Sequence, residues 1–376
     1  MKRVLALPEK ARVDPVILFT VLMLLTVGLV MVNSSSAIVA LERYKDPYYF
    51  VKRQSVWLAL GLVAMGCAAV VNLEWVKRWT MPAVVVVAAL LGMVLIPGVG
   101  RAVGGAQRWL PVGPLAVQPS EFAKLVCVLY LARWFAGRED CRREALSVYL
   151  KAMVVPGILV ALVLVEPDLG TAILIGAVVA VMLVLGGMPW SYLAGSAAAV
   201  VPVLAVAVAS AGYRRRRLLA FLNPWADPSG TGFQMVQSYL ALGRGGLFGQ
   251  GLGRGTQKLF YLPEAHTDFI FAVVGEELGF IGATGLCLLF GLLIWRGFRL
   301  ASRYPHAYGA YLAGGCTVFI ALQALINMGV VVGLLPTKGL PLPFISIGGS
   351  SLVVTCLAVG LLLNLSRRAE RAGGLR

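Results

Sequence analysis

Long apolar segments, separated by mostly short polar connections, run through almost the whole chain. Each segment is about 18 to 25 residues long, and an α-helix needs about 20 residues to cross the hydrocarbon core of a bilayer. The pattern therefore predicts an all-α polytopic membrane protein with about ten transmembrane helices, forming a single integral membrane domain over residues 1–376. The predicted spans lie at roughly 15–37, 54–72, 79–97, 118–136, 149–165, 169–187, 190–211, 268–295, 308–334 and 344–366.

Three connections interrupt this pattern. Residues 98–117 are rich in Gly and Pro, and the prolines of "LLPTKGLPLPFISIGGSS" (Leu334–Ser351) exclude a continuous helix. Irregular backbone at membrane depth must be buried in protein or line a wet cavity, so polar chemistry is expected there. Residues 212–267 form a predicted large extracytoplasmic loop between helices 7 and 8. Within that loop, the apolar spacing of Gly232–Gly243 predicts an interfacial or re-entrant helix.

Composition and charge agree with a membrane protein. Hydrophobic residues make up 59% of the chain and charged residues 13%, whereas a soluble domain carries about 25% charged residues. If both termini are cytoplasmic, the cytoplasmic connections hold a small excess of Lys and Arg, as the positive-inside rule requires. Arg214–Arg217 then lie outside, against that rule, which suggests an anionic ligand at the outer face. The six cysteines show no spacing typical of disulfides or metal sites.

The stretch "YLPEAHTDFIFAVVGEELGF" (Tyr261–Phe280) brings four of the seventeen carboxylates to the mouth of a predicted span. Ionisable residues at such a position are costly in a membrane, which makes them functional candidates. Asp268 is the last polar residue before "FIFAVV", so its carboxylate can meet both water and an amphipathic substrate. Its alternative role is that of a helix N-cap. Glu276 and Glu277 lie deeper and are expected to pair with arginines or backbone groups.

Three further motifs each allow a structural interpretation. In "QPSEFAK", Glu121 and Lys124 can pair across one helical turn. A structural ion pair is one alternative, and an anion-binding Lys124 held in place by Glu121 is the other. In "VEPDLGT", Glu166 and Asp168 are typical of a helix start. The run "GQGLGRG" (Gly249–Gly255) lacks the preceding strand and following helix of a nucleotide-binding loop, and is expected to be a flexible connector.

Several long strings, in this order, resemble the SEDS family (shape, elongation, division, sporulation): "QPSEFAKL", "EPDLGTA", "FLNPWADPSGTGFQ", "LPEAHTDFIFAVVGEELG" and "LLPTKGLPLPFISIGGSS". The resemblance extends from the first predicted span to the tenth. The strings "NPWADP" and "PEAHTD" are more similar to the division branch than to the rod-elongation branch. This resemblance implies a ten-helix glycosyltransferase of the inner membrane that polymerises lipid II into peptidoglycan strands.

The resemblance also implies site residues. Asp268 takes the position of the family's essential aspartate in the large external loop. The substrate-binding residues that it implies are Arg108, Glu121, Lys124, Lys338 and His266. No metal-ligand set of side chains is expected. A divalent cation, Mg²⁺ or Mn²⁺, is an alternative source of positive charge for the reaction.

The implied reaction is chemically consistent with these residue types. A lipid pyrophosphate is a good leaving group, which needs charge neutralisation more than protonation. A glycosidase needs two carboxylates because one must protonate the leaving oxygen, whereas here Asp268 alone could serve as general base for the acceptor hydroxyl. A single displacement would convert an α-linked donor into a β-linked product. Detection of a covalent glycosyl-enzyme would contradict this hypothesis.

The resemblance implies partners and a location as well. The expected partners are a class B penicillin-binding protein of the FtsI type and the subcomplex of FtsQ, FtsL and FtsB, at the septum of the bacterial cytoplasmic (inner) membrane. No nucleic acid is expected to bind. Three alternatives stay open: a lipid II flippase, a division scaffold, and a rod-elongation polymerase. Polymer formation that depends on Asp268 would distinguish an enzyme from a flippase or a scaffold.

Overall fold

The computed structural model describes residues 13–103, 106–113, 115–138, 145–209, 212–258 and 265–371. Within this part of the chain, helices predominate. Their bounds are α1 Pro15–Tyr44, α2 Tyr49–Val70, α3 Leu73–Val94, α4 Pro119–Ala136, α5 Ala145–Val165, α6 Leu169–Leu185, α7 Trp190–Ala209, α8 Gly212–Leu222, α9 Phe233–Gly245, α10 Ile270–Arg303, α11 Ala307–Val331 and α12 Gly349–Arg371.

Each predicted apolar run coincides with one of these helices, and α8 and α9 lie within the predicted large loop. Among the described residues, seven helices are long and apolar enough to cross a membrane, namely α1, α2, α3, α5, α10, α11 and α12. Helix α6 is apolar but has 17 residues. The protein is therefore a multi-pass membrane protein of mainly α-helical fold. The count of ten spans stays a prediction.

The interior of the bundle is formed by α4, α11 and α12, whose side chains are mostly buried. Helix α4 packs against α3 and α11, while α12 packs against α2. The outer helices expose large apolar side chains such as Val63 on α2, Val85 on α3 and Leu288 on α10. Exposed apolar surface of this extent is what a lipid environment requires, and it leaves the polar chemistry to the bundle interior and its ends.

Three short strands between α3 and α4 form a small antiparallel sheet, where the sequence predicted only irregular backbone. Strands β1 (Arg101–Val103), β2 (Ala106–Val112) and β3 (Leu115–Val117) are hydrogen-bonded in that order. Val103 is paired with Ala106, and the two residues between them, Gly104 and Gly105, lie outside the described residues. A Gly-Gly pair between two short strands favours a two-residue hairpin, and this was the signal in the sequence.

The glycine-rich run Gly249–Gly255 is held against a break in α10, so the prediction of a flexible connector was wrong. Gly279 has φ +68°, outside the helical region, and interrupts the helix. Backbone donors and acceptors freed at the break pair with the loop. Gln250 N–H donates to the carbonyl of Glu276 and Gly251 N–H to that of Glu277, each at 3.0 Å. The large loop is therefore fixed to α10 at this point.

Glu276 and Glu277, near the break in α10, are buried and bind residues of the large loop, as the sequence predicted. The cationic partner is a lysine and not the expected arginine. Glu276 accepts hydrogen bonds from the backbone N–H groups of Thr256 (2.8 Å) and Gln257 (3.2 Å). Glu277 forms a buried ion pair with Lys258, at 2.6 Å between Nζ and Oε1. The Ser34 hydroxyl of α1 also donates to Glu277. One carboxylate thus ties α1, α10 and the loop together.

We expect Glu277→Ala to destabilise the protein by about 3–5 kcal/mol, because it leaves the Lys258 ammonium buried without its counter-ion. The matched control is Asp46→Ala, which breaks the ion pair with Lys52. That pair has a similar Nζ–Oδ2 distance of 2.7 Å, but its side chains are 69% and 33% exposed. Surface pairs of this kind contribute little. Thermal unfolding in detergent measures both variants, and equal shifts in Tm would contradict the assignment.

Candidate functional site

The segment that carries Asp268 is fixed by hydrogen bonds to its backbone. Nδ2 of Asn327 on α11 donates to the Asp268 carbonyl at 2.8 Å and to the Leu340 carbonyl at 2.7 Å. The Ser346 hydroxyl donates to the Thr267 carbonyl at 2.5 Å. The His266 carbonyl accepts from the N–H of Ile347 at 3.1 Å. These bonds hold the segment against the connection between α11 and α12.

Asp268 does not cap α10. The N-cap position belongs to Phe269, whose side chain makes no capping hydrogen bond. The alternative role considered for Asp268 from its sequence position is therefore wrong. Its side chain is half-buried at the end of the bundle, between water and the apolar start of α10.

The α11–α12 connection, residues 332–348, approaches the Asp268 carboxylate through a glycine. An ideal Cβ added to Gly339 would lie 3.2 Å from Oδ2 of Asp268, which is tighter than an ordinary van der Waals contact. The absence of a side chain at Gly339 thus allows backbone and carboxylate to approach closely. Lys338, the residue before it, is half-buried, so the structure brings the Lys338 position beside Asp268.

The connection and the Asp268 segment each pack on another helix of the bundle. The Phe344 carbonyl lies where a Cβ on Gly28 of α1 would be, so only glycine fits at that position of α1. The imidazole of His266 packs on the Phe50 ring of α2 at a centroid distance of 5.0 Å. The α11–α12 connection and the Asp268 segment are therefore packed together with α1 and α2.

Arg108 lies on β2 and binds the turn between α5 and α6. Its guanidinium donates to the carbonyls of Glu166 (3.3 Å) and Pro167 (2.6 Å). It also lies 3.9 Å from Oδ1 of Asp168. As the sequence predicted, Asp168 caps α6 by accepting from the Thr171 N–H at 3.1 Å. The Arg108 side chain is 27% exposed, so its charge remains accessible from this end of the bundle.

Asp168 is joined to the start of α12 by Gln118. Nε2 of Gln118 donates to Oδ2 of Asp168 at 3.2 Å, and the Gln118 N–H donates to the Ser350 hydroxyl at 2.9 Å. In addition, Leu340 packs on Gly170, where an added Cβ would lie 3.5 Å from the leucine Cγ. The α5–α6 turn, which Arg108 binds, therefore contacts one side of the α11–α12 connection, and the Asp268 segment contacts the other side.

Lys124 is fully buried in the bundle. Its ammonium lies 2.5 Å from Oε2 of Glu121 and donates to Oε1 of Gln323 at 2.9 Å. The Phe319 ring lies 5.4 Å from the ammonium. Nε2 of Gln323 in turn donates to the carbonyl of Pro341 at 2.9 Å. The geometry is that of a structural ion pair, and through Gln323 it supports the α11–α12 connection.

The structure thus brings Asp268, His266 and Lys338 together, and it places Arg108 across the α11–α12 connection. Lys124 and Glu121 lie beneath this site, sealed from solvent. The roles of all six in substrate binding or catalysis stay predictions. Glu264 lies outside the described residues, as do the side chains of Arg214, Arg215 and Arg217, while that of Arg216 is exposed.

Sequence reasoning missed the amides that organise this site. Gln323 and Asn327 lie four residues apart on the otherwise apolar α11, and both are buried. Polar side chains inside a predicted span are candidates for function or for internal hydrogen bonding, so "LQALIN" carried the signal. Within the described residues, no group of three or more His, Cys, Asp or Glu side chains converges as ligands for Mg²⁺ or Mn²⁺.

Glu166 is an unusual feature of the site. Its side chain is buried, and neither carboxyl oxygen accepts a hydrogen bond within the described residues. Burial raises the pKa of this carboxyl from 4.5 to about 8. The neighbouring Asp168 carboxylate adds to the rise, and the Arg108 guanidinium opposes it. Glu166 is therefore mostly protonated at pH 7, so among the described residues it is Asp168 that balances the positive charge of Arg108.

This pKa predicts a pH dependence of stability. The folded protein keeps a proton on Glu166 that the unfolded chain releases above pH 4.5, so stability falls as the pH rises from about 4.5 to about 8. The slope is at most about 1.4 kcal/mol per pH unit. Glu166→Gln removes this loss. Its Tm should therefore rise relative to wild type between pH 5 and pH 8, then level off.

Differential scanning fluorimetry in detergent across this pH range measures the effect. Glu42→Gln, which changes an exposed glutamate at the end of α1, is the control and should show a constant difference from wild type. A Tm difference between Glu166→Gln and wild type that stays constant across this pH range would show that Glu166 is ionised in the folded protein at neutral pH.

Comparisons with known proteins agree with this architecture. A model of the cell cycle protein family FTSW_RODA_SPOVE matches residues 15–371. A curated relative from Geobacter metallireducens, named probable peptidoglycan glycosyltransferase FtsW, is 45% identical over 366 residues, which cover 97% of this chain and 98% of the relative.

Two solved structures share the fold. A chain from a peptidoglycan synthase complex, described for its structural coordination of polymerization and crosslinking, aligns with a TM-score of 0.77 at 31% identity, covering 95% of this chain and 98% of that one. The rod shape determining protein RodA of Thermus thermophilus aligns with a TM-score of 0.70 at 31% identity, covering 98% of both chains. Because the family match covers nearly the whole chain and a relative of the same length shares 45% of its residues, this protein belongs to the FtsW/RodA/SpoVE family of cell cycle proteins, the SEDS family.

Proposed function

We propose that this chain is a peptidoglycan glycosyltransferase that polymerises lipid II into glycan strands, with Asp268 as the catalytic base. Family membership supports the activity, since the relative from Geobacter metallireducens is named as such an enzyme. The position of the Asp268 carboxylate carries the assignment of the site. It is half-buried at the end of the bundle, on a segment that Asn327 and Ser346 immobilise, and it faces the backbone of Gly339.

In the proposed reaction, the acceptor hydroxyl oxygen attacks the anomeric carbon of the donor sugar while Asp268 takes the hydroxyl proton. The bond from that carbon to the pyrophosphate oxygen breaks, and its electron pair leaves with the lipid pyrophosphate. The new glycosidic bond has the opposite anomeric configuration, because one displacement inverts the carbon. Asp268 then passes its proton to water, which returns the carboxylate for the next addition.

Cationic side chains of the site stabilise the leaving pyrophosphate. Lys338 is half-buried next to the Gly339 backbone that faces Asp268, and Arg108 presents a partly exposed guanidinium across the connection. A guanidinium suits phosphate because it donates two parallel hydrogen bonds. Lys124 and Glu121 act indirectly, as positioning residues. Lys124 is buried and donates to Gln323, and Gln323 in turn donates to the Pro341 carbonyl of the α11–α12 connection. Fixed charges of this kind need no reorganisation during the reaction.

The location and partners follow from the same family relationship. With both termini cytoplasmic, Asp268, Lys338 and Arg108 lie at the extracytoplasmic end of the bundle, where lipid-linked donor is available after export. The large loop, residues 212–267, belongs to the same membrane domain as the rest of the chain. The greater identity to the FtsW-type relative (45%) than to RodA (31%) supports a role at the division septum.

The aligned chain from a complex of polymerization and crosslinking supports a penicillin-binding protein as partner. The finer proposal is an FtsI-type class B protein, which crosslinks the strands that this chain makes. The subcomplex of FtsQ, FtsL and FtsB completes the proposed septal assembly.

The first test is lipid II polymerisation by purified protein reconstituted with its penicillin-binding partner. The partner's transpeptidase is blocked, and moenomycin excludes contaminating polymerases. We expect Asp268→Asn to lower the polymerisation rate by at least about 100-fold, the lower end of what a general base contributes. Asp46→Asn, which changes an aspartate paired with exposed Lys52 in the α1–α2 connection, is the matched control and should polymerise like wild type.

Equal polymer from wild type and from folded, partner-bound Asp268→Asn would remove Asp268 as the base. Loss of polymer with unchanged translocation of lipid II would agree with an enzyme. Translocation of lipid II by wild type without any polymer would instead favour a flippase.

A second test addresses the close approach at Gly339. We expect Gly339→Ala to reduce the polymerisation rate about tenfold with little effect on folding, because the new methyl group displaces the Asp268 carboxylate and small misplacements are costly in catalysis. Gly348→Ala, in the same connection, is the control, since its Cβ would lie 3.5 Å from its nearest neighbour. Equal rates for the two variants would show that the contact at Gly339 does not position the base.

A further inference from the structure

A second polar cavity lies at the opposite end of the bundle from Asp268. It has a volume of about 580 Å³, within the range of roughly 300–1,000 Å³ that is typical of ligand pockets. It opens where α2 and α12 end and where α10 connects to α11. Its polar lining residues are Tyr304, His306, Asn364, Arg367 and Arg368, and no carboxylate lines it among the described residues.

Arg368 is held in place on one side of this cavity. Its Nε donates to Oδ1 of Asn364 at 2.9 Å. The amide of Asn364 is itself anchored, since its Nδ2 donates to the carbonyls of Ala68 (2.9 Å) and Val71 (2.7 Å) at the end of α2. The Arg368 guanidinium therefore has a defined orientation, and no carboxylate of the described residues forms an ion pair with it.

Arg367 indicates a bound ligand more strongly than Arg368 does. Its side chain is half-buried, and it makes no hydrogen bond or ion pair with the described residues. A guanidinium carries five N–H donors and stays charged. Tyr304 adds a neutral hydroxyl, because burial raises its pKa and the nearby Arg368 only partly opposes the rise. Two arginines and a hydroxyl, with no carboxylate among the described lining residues, are a set of donors that suits phosphate.

The surroundings of the cavity distinguish a lipid headgroup from a soluble phosphate compound as its ligand. Val70 of α2 lines the cavity and is 70% exposed, so the opening borders surface that faces lipid. The same end of the bundle holds a neighbouring groove that is lined by Trp295, Arg299 and Arg303. Aromatic and cationic residues of this kind are typical of the headgroup zone. Basic pockets between helices on the cytoplasmic side bind anionic headgroups in other membrane proteins.

We infer that the cavity between the ends of α2 and α12 and the α10–α11 connection binds the phosphate of an anionic phospholipid headgroup, with Arg367 as its main ligand. This site lies apart from the glycosyltransfer site and does not depend on it. It would favour membranes rich in anionic lipid and fix the end of α12, the helix whose other end supports the α11–α12 connection.

The test compares lipid retention by purified full-length protein in detergent. Wild type, Arg367→Gln and Arg78→Gln are titrated with phosphatidylglycerol or phosphatidylcholine, and bound lipid is counted by native mass spectrometry. Arg78 is the matched control, since it is an exposed arginine near the start of α3, at the same end of the bundle and away from the cavity. We expect wild type and Arg78→Gln to retain one phosphatidylglycerol and Arg367→Gln to bind it about tenfold more weakly.

Arg367→Lys should recover part of the affinity, because it keeps the charge but loses the paired donors. Unchanged thermal unfolding of the variants shows that they are folded. Equal affinity of Arg367→Gln and Arg78→Gln for phosphatidylglycerol would overturn the inference, and so would equal retention of phosphatidylcholine by wild type. Displacement of phosphatidylglycerol by millimolar inorganic phosphate would reassign the site to a soluble phosphate compound and overturn the lipid assignment.

Discussion

Two side-chain amides on α11, those of Gln323 and Asn327, support the irregular backbone on which the site depends. The connection between α11 and α12 contains three prolines and cannot form a helix, so its carbonyl groups need partners that a bilayer does not supply. Gln323 donates to Pro341 and Asn327 to Leu340. Because Asn327 also donates to Asp268, the same amide sets the position of the proposed base relative to the connection.

The buried charge of Lys124 is part of this support. An ammonium inside a protein is costly unless it is paired and hydrogen-bonded, and here Glu121, Gln323 and the Phe319 ring together satisfy it. The arrangement orients Gln323 toward the connection. A lysine and a glutamate that contact no solvent can therefore be essential to activity without touching substrate, and a loss of activity on substitution would not by itself distinguish the two roles.

The large loop is also held to the bundle by hydrogen bonds to backbone groups and by buried charged side chains. The break in α10 at Gly279 frees backbone groups, and the glycine-rich run pairs with them, while Glu276 and Glu277 bind the residues that follow. Asp268 follows ten residues after Lys258 in the sequence.

The sequence by itself determined the membrane-spanning helical fold, because the length and hydropathy of a span are local properties, and it singled out Asp268, Arg108 and Lys338 as candidates. It also indicated that Glu276 and Glu277 would be buried partners. It left open whether Lys124 is sealed in an ion pair with Glu121 or binds an anion, and it did not reveal that Phe269 rather than Asp268 is the N-cap of α10, or that Gly249–Gly255 fills a helix break. The burial of Lys124 and the pairing of the glycine-rich run depend on which distant segments supply partners for their polar groups, and only the packing of the helices decides that.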